Sequence, residues 1–380
     1  MPIAAQILTP KTADASVAIN DVSQTAPLAR IVGLTTATPA LEQSQQLIGE
    51  EFATLWRLRG ARLERWRRII RGSQIQTRHA VVPIGEIAHL STAQRMRLYE
   101  RHAPALAEQA ARTALRRAGL SASAVTDVIV VSCTGFSAPG VDVELILRLG
   151  MESDVRRSVI GFMGCFGAIT GLRAALGVCA MDRAAVTLLV CVELCSLHLR
   201  SENDVPNQIA SALFADGAGA VVVCGSDCQR PAPGSASTGR SLGLRIANAG
   251  ASRLLADRRE DMSWRITDAG FAMTLSPRVP KALEKHLGSF VQSARPAPRT
   301  LAVHPGGASI LDAAQRSVDP NLAYGVDAAR DVMRDHGNMS SPSVLFVLEK
   351  LLNQGAPAPI MLTAFGPGLT IDSITVVSDD

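Results

Sequence analysis

The chain is predicted to fold as a layered α/β protein made of two similar halves. Strands apolar on both faces at 127–132 and 185–192, with further strands at 219–224, 242–248, 300–304 and 371–377, alternate with segments of helical spacing. Strands of that kind need helices covering both faces of the sheet. The alternation also runs twice, and between the runs residues 226–241 have the Gly/Pro/Ser composition of a surface linker. Dividing 380 residues there leaves two units of ordinary domain size. The expected organisation is a loose leader over 1–28, a first half over 29–232 and a second over 233–380.

In order, Ala29–Leu34 reads as the first strand, and Leu41–Ile70 has a helical pattern that stops near Arg71-Gly72. A helix over 104–118 has Pro104 at its start, Gly119 as its stop, and Leu106, Ala110, Ala114, Leu115 and Ala118 on one face. Strand 127–132 runs into the turn Cys133-Thr134-Gly135-Phe136. A short apolar run then ends in Gly161-Phe162-Met163-Gly164, Cys165 follows, and Ile169, Leu172, Ala175, Leu176 and Cys179 mark a helix. Strand 185–192 ends at Glu193-Leu194-Cys195-Ser196. Helix 207–214 leads into strand 219–224, and the second half adds helices at 277–295 and 341–353.

Composition narrows the function. With 47% apolar and 19% charged residues the chain is a packed globular protein. A net charge of +4 and no block of like charges argue against a nucleic-acid arm, although arginines crowd between Arg57 and Arg78. No apolar run is read as long enough to span a bilayer, and no secretory signal is apparent. Seven cysteines without CxxC pairs argue against a zinc site and a disulfide framework, so the expected compartment is a reducing cytoplasm.

Three residues at strand-to-helix junctions stand out. A helix N-terminus at Cys165 would favour a thiolate, with Gly164 and Gly167 leaving room for a substrate carbonyl; a small buried hydrophobe is the other reading. His304 ends an apolar strand and is followed by Pro305-Gly306-Gly307, which suits a base or an oxyanion donor, or a turn histidine. Asn338 follows Gly337 ahead of a helix, as an N-cap or as an amide donor to a thioester oxygen.

Taken together these segments resemble the type III polyketide synthases, chalcone-synthase-like members of the thiolase superfamily, from about residue 30 to the C-terminus. Met163-Gly164-Cys165-Phe166 resembles the nucleophile motif and Leu213-Phe214-Ala215-Asp216-Gly217 the gatekeeper segment. His304-Pro305-Gly306-Gly307 and Gly337-Asn338-Met339-Ser340-Ser341 resemble the histidine and asparagine motifs, and Phe365-Gly366-Pro367-Gly368-Leu369-Thr370 the C-terminal signature. The resemblance implies a five-layer αβαβα thiolase-like fold of duplicated halves, in a homodimer. It implies acyl transfer from an acyl-CoA starter to Cys165, decarboxylation of malonyl-CoA with His304 and Asn338, and condensation. The CoA thioesters would be substrates, with no metal or other cofactor. Phe214 would guard the cavity, Glu193 would lie beside it, and Arg65, Arg68, Arg71 and Gly306 would meet CoA.

Departures from the plant pattern bear on substrate. Met273 stands where plant members carry a second Phe, and Cys133, Thr134, Ala138 and Cys195 match bacterial members that take long fatty acyl starters. With 4% aromatic residues, an aliphatic cavity is expected. Trp264 opposes this by placing an indole where many members have a small residue, which would bias closure toward an alkylresorcinol over an alkylpyrone. The alternatives are a 3-ketoacyl-ACP synthase III-like enzyme, whose Asn soon follows its His, and a non-catalytic acyl-binding scaffold.

Overall fold

The computed structural model describes residues 29–228 and 242–379. The expected leader, most of the expected linker and the boundary between 232 and 233 lie outside them. The first half contains β1 (Ala29–Ala37), β2 (Leu41–Ser44), α1 (Gln45–Leu55), α2 (Gly60–Gly72), β3 (Thr77–Ala80), α3 (Ile84–Ile87), α4 (Thr92–Ala118) and β4 (Asp127–Val131). It continues with α5 (Val141–Leu149), β5 (Arg156–Ile160), α6 (Gly167–Met181), β6 (Val186–Leu194), α7 (Val205–Leu213) and β7 (Asp216–Gly225). The second half contains β8 (Leu244–Ile246), β9 (Ala251–Leu254), β10 (Met262–Thr267), β11 (Gly270–Leu275), α8 (Val279–Gln292) and β12 (Thr300–Val303). After these come α9 (Ala308–Ser317), α10 (Ala323–His336), α11 (Ser343–Asn353), β13 (Ile360–Gly366) and β14 (Thr370–Ser378).

The duplication is written in the strand pairing. In the first half β4 runs parallel to β6, β6 antiparallel to β7, and β7 antiparallel to β1. The second half repeats this with β12, β13, β14 and β8. The halves join where β1 pairs with β8, Arg30 opposite Arg245, giving one ten-stranded mixed sheet. Helices α6 and α11 touch strands of both halves and form a shared middle layer. Helices α4 and α5 cover the outer face of the first half. With α8, α9 and α10 flanking the second half, the layers alternate helix and sheet as expected of the thiolase-like fold.

Three expectations are corrected. The helical pattern over Leu41–Ile70 is interrupted: β2 pairs with β3, the Ser44 side chain caps α1 by accepting from Leu47 N, and the left-handed backbone at Arg57 and Gly60 separates α1 from α2. The helix expected to begin at Pro104 begins twelve residues earlier, at Thr92, because Ser91 and Gln94 form a capping box that outweighs the proline signal; Pro104 is buried inside α4. Gly164–Met181, at mean hydropathy 1.5 over 18 residues, is long and apolar enough to cross a bilayer by length and composition. Its apolarity is that of a core helix, 56% buried and covered by sheet on two sides.

Candidate active site

The repeated pairing places two strand ends and two turns that lead into helices at equivalent positions of the two halves. Cys133 and Thr134 follow β4 as His304 follows β12, and the turn carrying Cys165 precedes α6 as the turn carrying Asn338 precedes α11. Cys165 lies in a 3₁₀ turn, Gly164–Phe166, with Phe162 and Gly164 both at positive φ (60° and 69°). A Cβ on Gly164 would come within 2.6 Å of Pro367 Cδ, so glycine lets the C-terminal signature close over the turn. His304 N donates to Thr363 O at 2.8 Å, extending the β12–β13 ladder by one bond and seating the imidazole at its end.

Asn338 is not an N-cap. Helix α11 starts at Ser343, and Asn338 forms a parallel bridge with Phe214: its N–H donates to Leu213 O and its carbonyl accepts from Ala215 N, both at 2.9 Å. Its Oδ1 accepts from Ser340 N at 2.8 Å, and its Nδ2 donates to Gly306 O at 3.4 Å in the histidine segment. The thiol of Cys165 donates to Ser340 Oγ at 3.7 Å. Cys165, His304 and Asn338 are all buried, at 6%, 1% and 2% exposure.

Burial works against charge on both Cys165 and His304. It pushes the Cys165 thiol up to about 12, with hydrogen bonds from Ser340 and Asn338 opposing and the Glu193 carboxylate adding to the rise. That rise is worth roughly 4 kcal/mol, against at most ~2 kcal/mol from a helix terminus. Burial therefore works against the thiolate that the helix end would favour. Burial likewise pushes His304 down to about 3, and neither ring nitrogen has a hydrogen-bond partner among the described residues.

Below Cys165 lies a wholly buried carboxylate. Glu193 Oε2 accepts from Cys133 N (2.9 Å) and Thr134 Oγ1 (2.8 Å), and Oε1 accepts from Ser341 Oγ (2.6 Å). Burial raises it to about 7 although these bonds favour the charged form. Gly164 N donates to Cys133 Sγ at 3.1 Å, tying the cysteine turn to the end of β4.

The cavity beside Cys165 has a volume of about 90 Å³, and its walls include Cys133, Thr134, Cys195, Phe214, Trp264 and Met273. Trp264 and Met273 are cross-strand partners in the β10–β11 hairpin. The expectation of an aliphatic cavity is corrected: Phe214, Trp264 and Phe271 all line it, since a scarce residue type can still be concentrated at one place. Ala138 is exposed and stands outside this lining. Gly306 lines a separate cavity of about 400 Å³ together with Ile69, Gly72 and Ser73 of the α2 region. Arg65 and Arg68 are exposed on α2 outside that lining, and Arg71 borders another cavity beside Trp66.

Sequence reasoning missed His198 and Phe271. Their rings stack at 3.8 Å with an 8° interplanar angle, and Phe271 stacks on Trp264 at 4.8 Å. Phe271 N donates to His198 Nδ1 (3.3 Å), which leaves the proton on Nε2 to donate to Thr134 O (2.6 Å). Burial pushes His198 down to about 3, so it is a neutral strut between the halves. Its one sequence signal is its place three residues beyond Cys195; it lacks the flanking glycines that drew attention to His304.

Two adjoining families match nearly the whole chain: chalcone and stilbene synthases, N-terminal domain, over residues 19–228, and the C-terminal domain over 247–379. A 1,3,6,8-tetrahydroxynaphthalene synthase of Streptomyces peucetius subsp. caesius is 32% identical over 90% of this chain and 92% of that protein. The α-pyrone synthesis polyketide synthase-like Pks18 of Mycobacterium tuberculosis is 30% identical over 91% and 90%. Among solved structures, PKS-I of the brown alga Ectocarpus siliculosus superposes with a TM-score of 0.82 at 26% identity, covering 94% of this chain and all of that one. The C-terminal type III polyketide synthase domain of Dictyostelium Steely1 gives the same TM-score and identity over 93% and 99%.

Proposed function

From a chain that belongs to the chalcone and stilbene synthase family, the type III polyketide synthases, we propose a decarboxylative condensing enzyme working on Cys165, His304 and Asn338. Family members are acyltransferase-type condensing enzymes that use acyl-CoA and malonyl-CoA thioesters. The observation that supports the site assignment is that Cys165 and Asn338, both buried, each bond to Ser340, while the Asn338 amide donates to Gly306 O in the histidine segment and the His304 ring nitrogens have no hydrogen-bond partner among the described residues. The imidazole takes the thiol proton as Sγ attacks the starter thioester, and returns it to the departing CoA sulfur. Malonyl-CoA then loses CO₂, and the Asn338 amide and the imidazole donate to the oxygen of the resulting enolate. The enolate carbon attacks the acyl-cysteine carbonyl, Sγ leaves, and the chain is two carbons longer on CoA.

The CoA arm is assigned to the cavity at Gly306, with Arg65 and Arg68 on the same helix as its walls and Arg71 nearby to meet phosphates. The reading includes no metal or redox cofactor, a reducing cytoplasm that keeps Cys165 a thiol, and a homodimer covering the exposed Phe136, Val159 and Phe162.

A fatty acyl starter closing to an alkylresorcinol or alkylpyrone is the first substrate reading. Small Cys133, Thr134 and Cys195 line the cavity, and a second cavity of about 430 Å³ lies behind Trp264. The 90 Å³ inner volume favours a second reading, a short starter and a compact product, because ligand pockets ordinarily need about 300 Å³ or more. Product mass spectrometry with malonyl-CoA alone and with graded acyl-CoA starters decides. Alkylated products absent from Cys165→Ala support the first, products from malonyl-CoA alone support the second, and no condensation with any starter leaves an acyl-binding scaffold.

A further inference from the structure

Strand β3 does more than close a hairpin with β2. It lies along the segment that ends in Asn338: Gln76 N donates to Arg334 O and Thr77 Oγ1 to Asp335 O, both at 2.7 Å, and the His79 and His336 rings lie 5.8 Å apart. Arg78 completes this contact from the inside. Its side chain is 1% exposed, and its Nη1 donates to Phe214 O at 2.7 Å. Its Cγ and Cδ stand 3.0 Å from where a Cβ on Gly337 would be. The stem thus packs against the residue before Asn338, while the head holds the backbone of Phe214, and Phe214 and Asn338 are bridged to each other.

Burying a guanidinium is costly unless its donors are satisfied. Nε and Nη2 of Arg78 have no hydrogen-bond partner among the described residues. Burial pushes Arg78 down to about 9, with the Asp216 carboxylate opposing. An arginine kept at such a site for packing alone would be replaceable by an apolar side chain of similar length.

The geometry points to Arg78 as a positioning residue for the condensation: it sets the backbone of Phe214 and, through the bridge, the Asn338 amide that meets the malonyl thioester. It touches neither substrate nor thiol in this assignment, which rests on the proposed condensing activity. Acylation of Cys165, which needs the thiol and His304, is separable from malonyl decarboxylation, which needs Asn338 in place. A displaced amide loses directional stabilisation steeply with distance.

The test uses the full-length protein with Arg78→Met and Arg78→Lys, and compares three readouts with wild type. These are acylation of Cys165 by an acyl-CoA (intact mass), the rate of CO₂ release from malonyl-CoA, and thermal melting. Arg78→Met should slow decarboxylation by about 10-fold or more while acylation stays within about threefold. Arg78→Lys, which keeps charge and stem without the guanidinium fork, should recover part of the decarboxylation rate. Equal rates of decarboxylation in wild type and Arg78→Met overturn the assignment, as does a proportional fall in both reactions, which marks a merely structural arginine. If Arg78→Met does not fold, Arg78→Lys carries the same comparison, and a loss confined to decarboxylation supports the role. Wild-type protein that neither acylates nor decarboxylates removes the condensing activity itself, and with it any role for Arg78 in it.

Discussion

The turn before α6 and the turn before α11 occupy equivalent places in the two halves, yet they do different things. Each uses left-handed backbone next to its functional residue: Phe162 and Gly164 around Cys165, Gly337 and Ser340 around Asn338. The Cys165 turn leaves its sulfur with a long contact to Ser340 at 3.7 Å and a hydrogen bond with Asn338. The Asn338 turn is fastened by Ser340 N, Gly306 O, and the Ser343 hydroxyl that accepts from Met339 N. A duplicated scaffold thus yields a loosely held nucleophile facing a tightly held donor. Covalent chemistry tolerates freedom in the sulfur that leaves and returns, whereas oxyanion stabilisation requires donors fixed in advance.

The comparison breaks most completely at the sulfur. Cys165→Ala should lower condensation by about 10³-fold or more with melting unchanged, measured by product formation and by loss of the acyl-enzyme mass. On the opposite turn, Asn338→Ala should slow decarboxylation by about 10²–10³-fold and spare Cys165 acylation, the split being read by CO₂ release against intact mass.

The floor beneath both turns should respond to pH. The Glu193 carboxyl lies at about 7 in the folded protein against 4.5 ordinarily, so the folded state holds a proton that the unfolded state releases. The associated stability, roughly 3 kcal/mol, is fully present below pH ~4.5 and is lost as pH rises through ~7. Denaturant midpoints across that window should fall for wild type and flatten for Glu193→Gln.

Gly164→Ala sharpens the difference between the turns with a smaller effect. The added Cβ meets Pro367 at 2.6 Å with φ at 69°, at a cost of about 1–3 kcal/mol. Melting should drop, and acylation should suffer before decarboxylation does. Trp264→Ala gives the least change in rate and the clearest change in product. Joining the 90 and 430 Å³ cavities that share Trp264 should raise preference for longer starters, by up to about fourfold per added methylene at ~0.8 kcal/mol each. Competition between acyl-CoAs of different length measures it.

The sequence was most readable where covalent geometry imposes a residue type. The buried strands expected at 127–132 and 185–192 are β4 and β6, Asp127–Val131 and Val186–Leu194, and Cys165 and His304 were exposed to view by neighbouring glycines. Trp264 and Met273 were each placed at the cavity by the family resemblance, and the hairpin register sets them opposite each other. Less readable were features that depend on partners far along the chain. His198 gained meaning only when Phe271 stacked on it, 73 residues away. Ala138 is exposed and lies outside the lining of this chain's own cavity.

By itself, then, the sequence determined the alternation of covered strands and helices, the two-fold repetition, and the residue types at each junction, since apolar periodicity and glycine at strained φ are local demands. Tertiary structure alone decided the charges and the space. Burial works against a charged Cys165 and leaves His304 without a hydrogen-bond partner among the described residues, Arg78 lies between Phe214 and Gly337, and a few scarce aromatic rings are gathered into one wall. Electrostatic free energy and cavity volume depend on everything packed around a group, and segments hundreds of residues apart supply that packing.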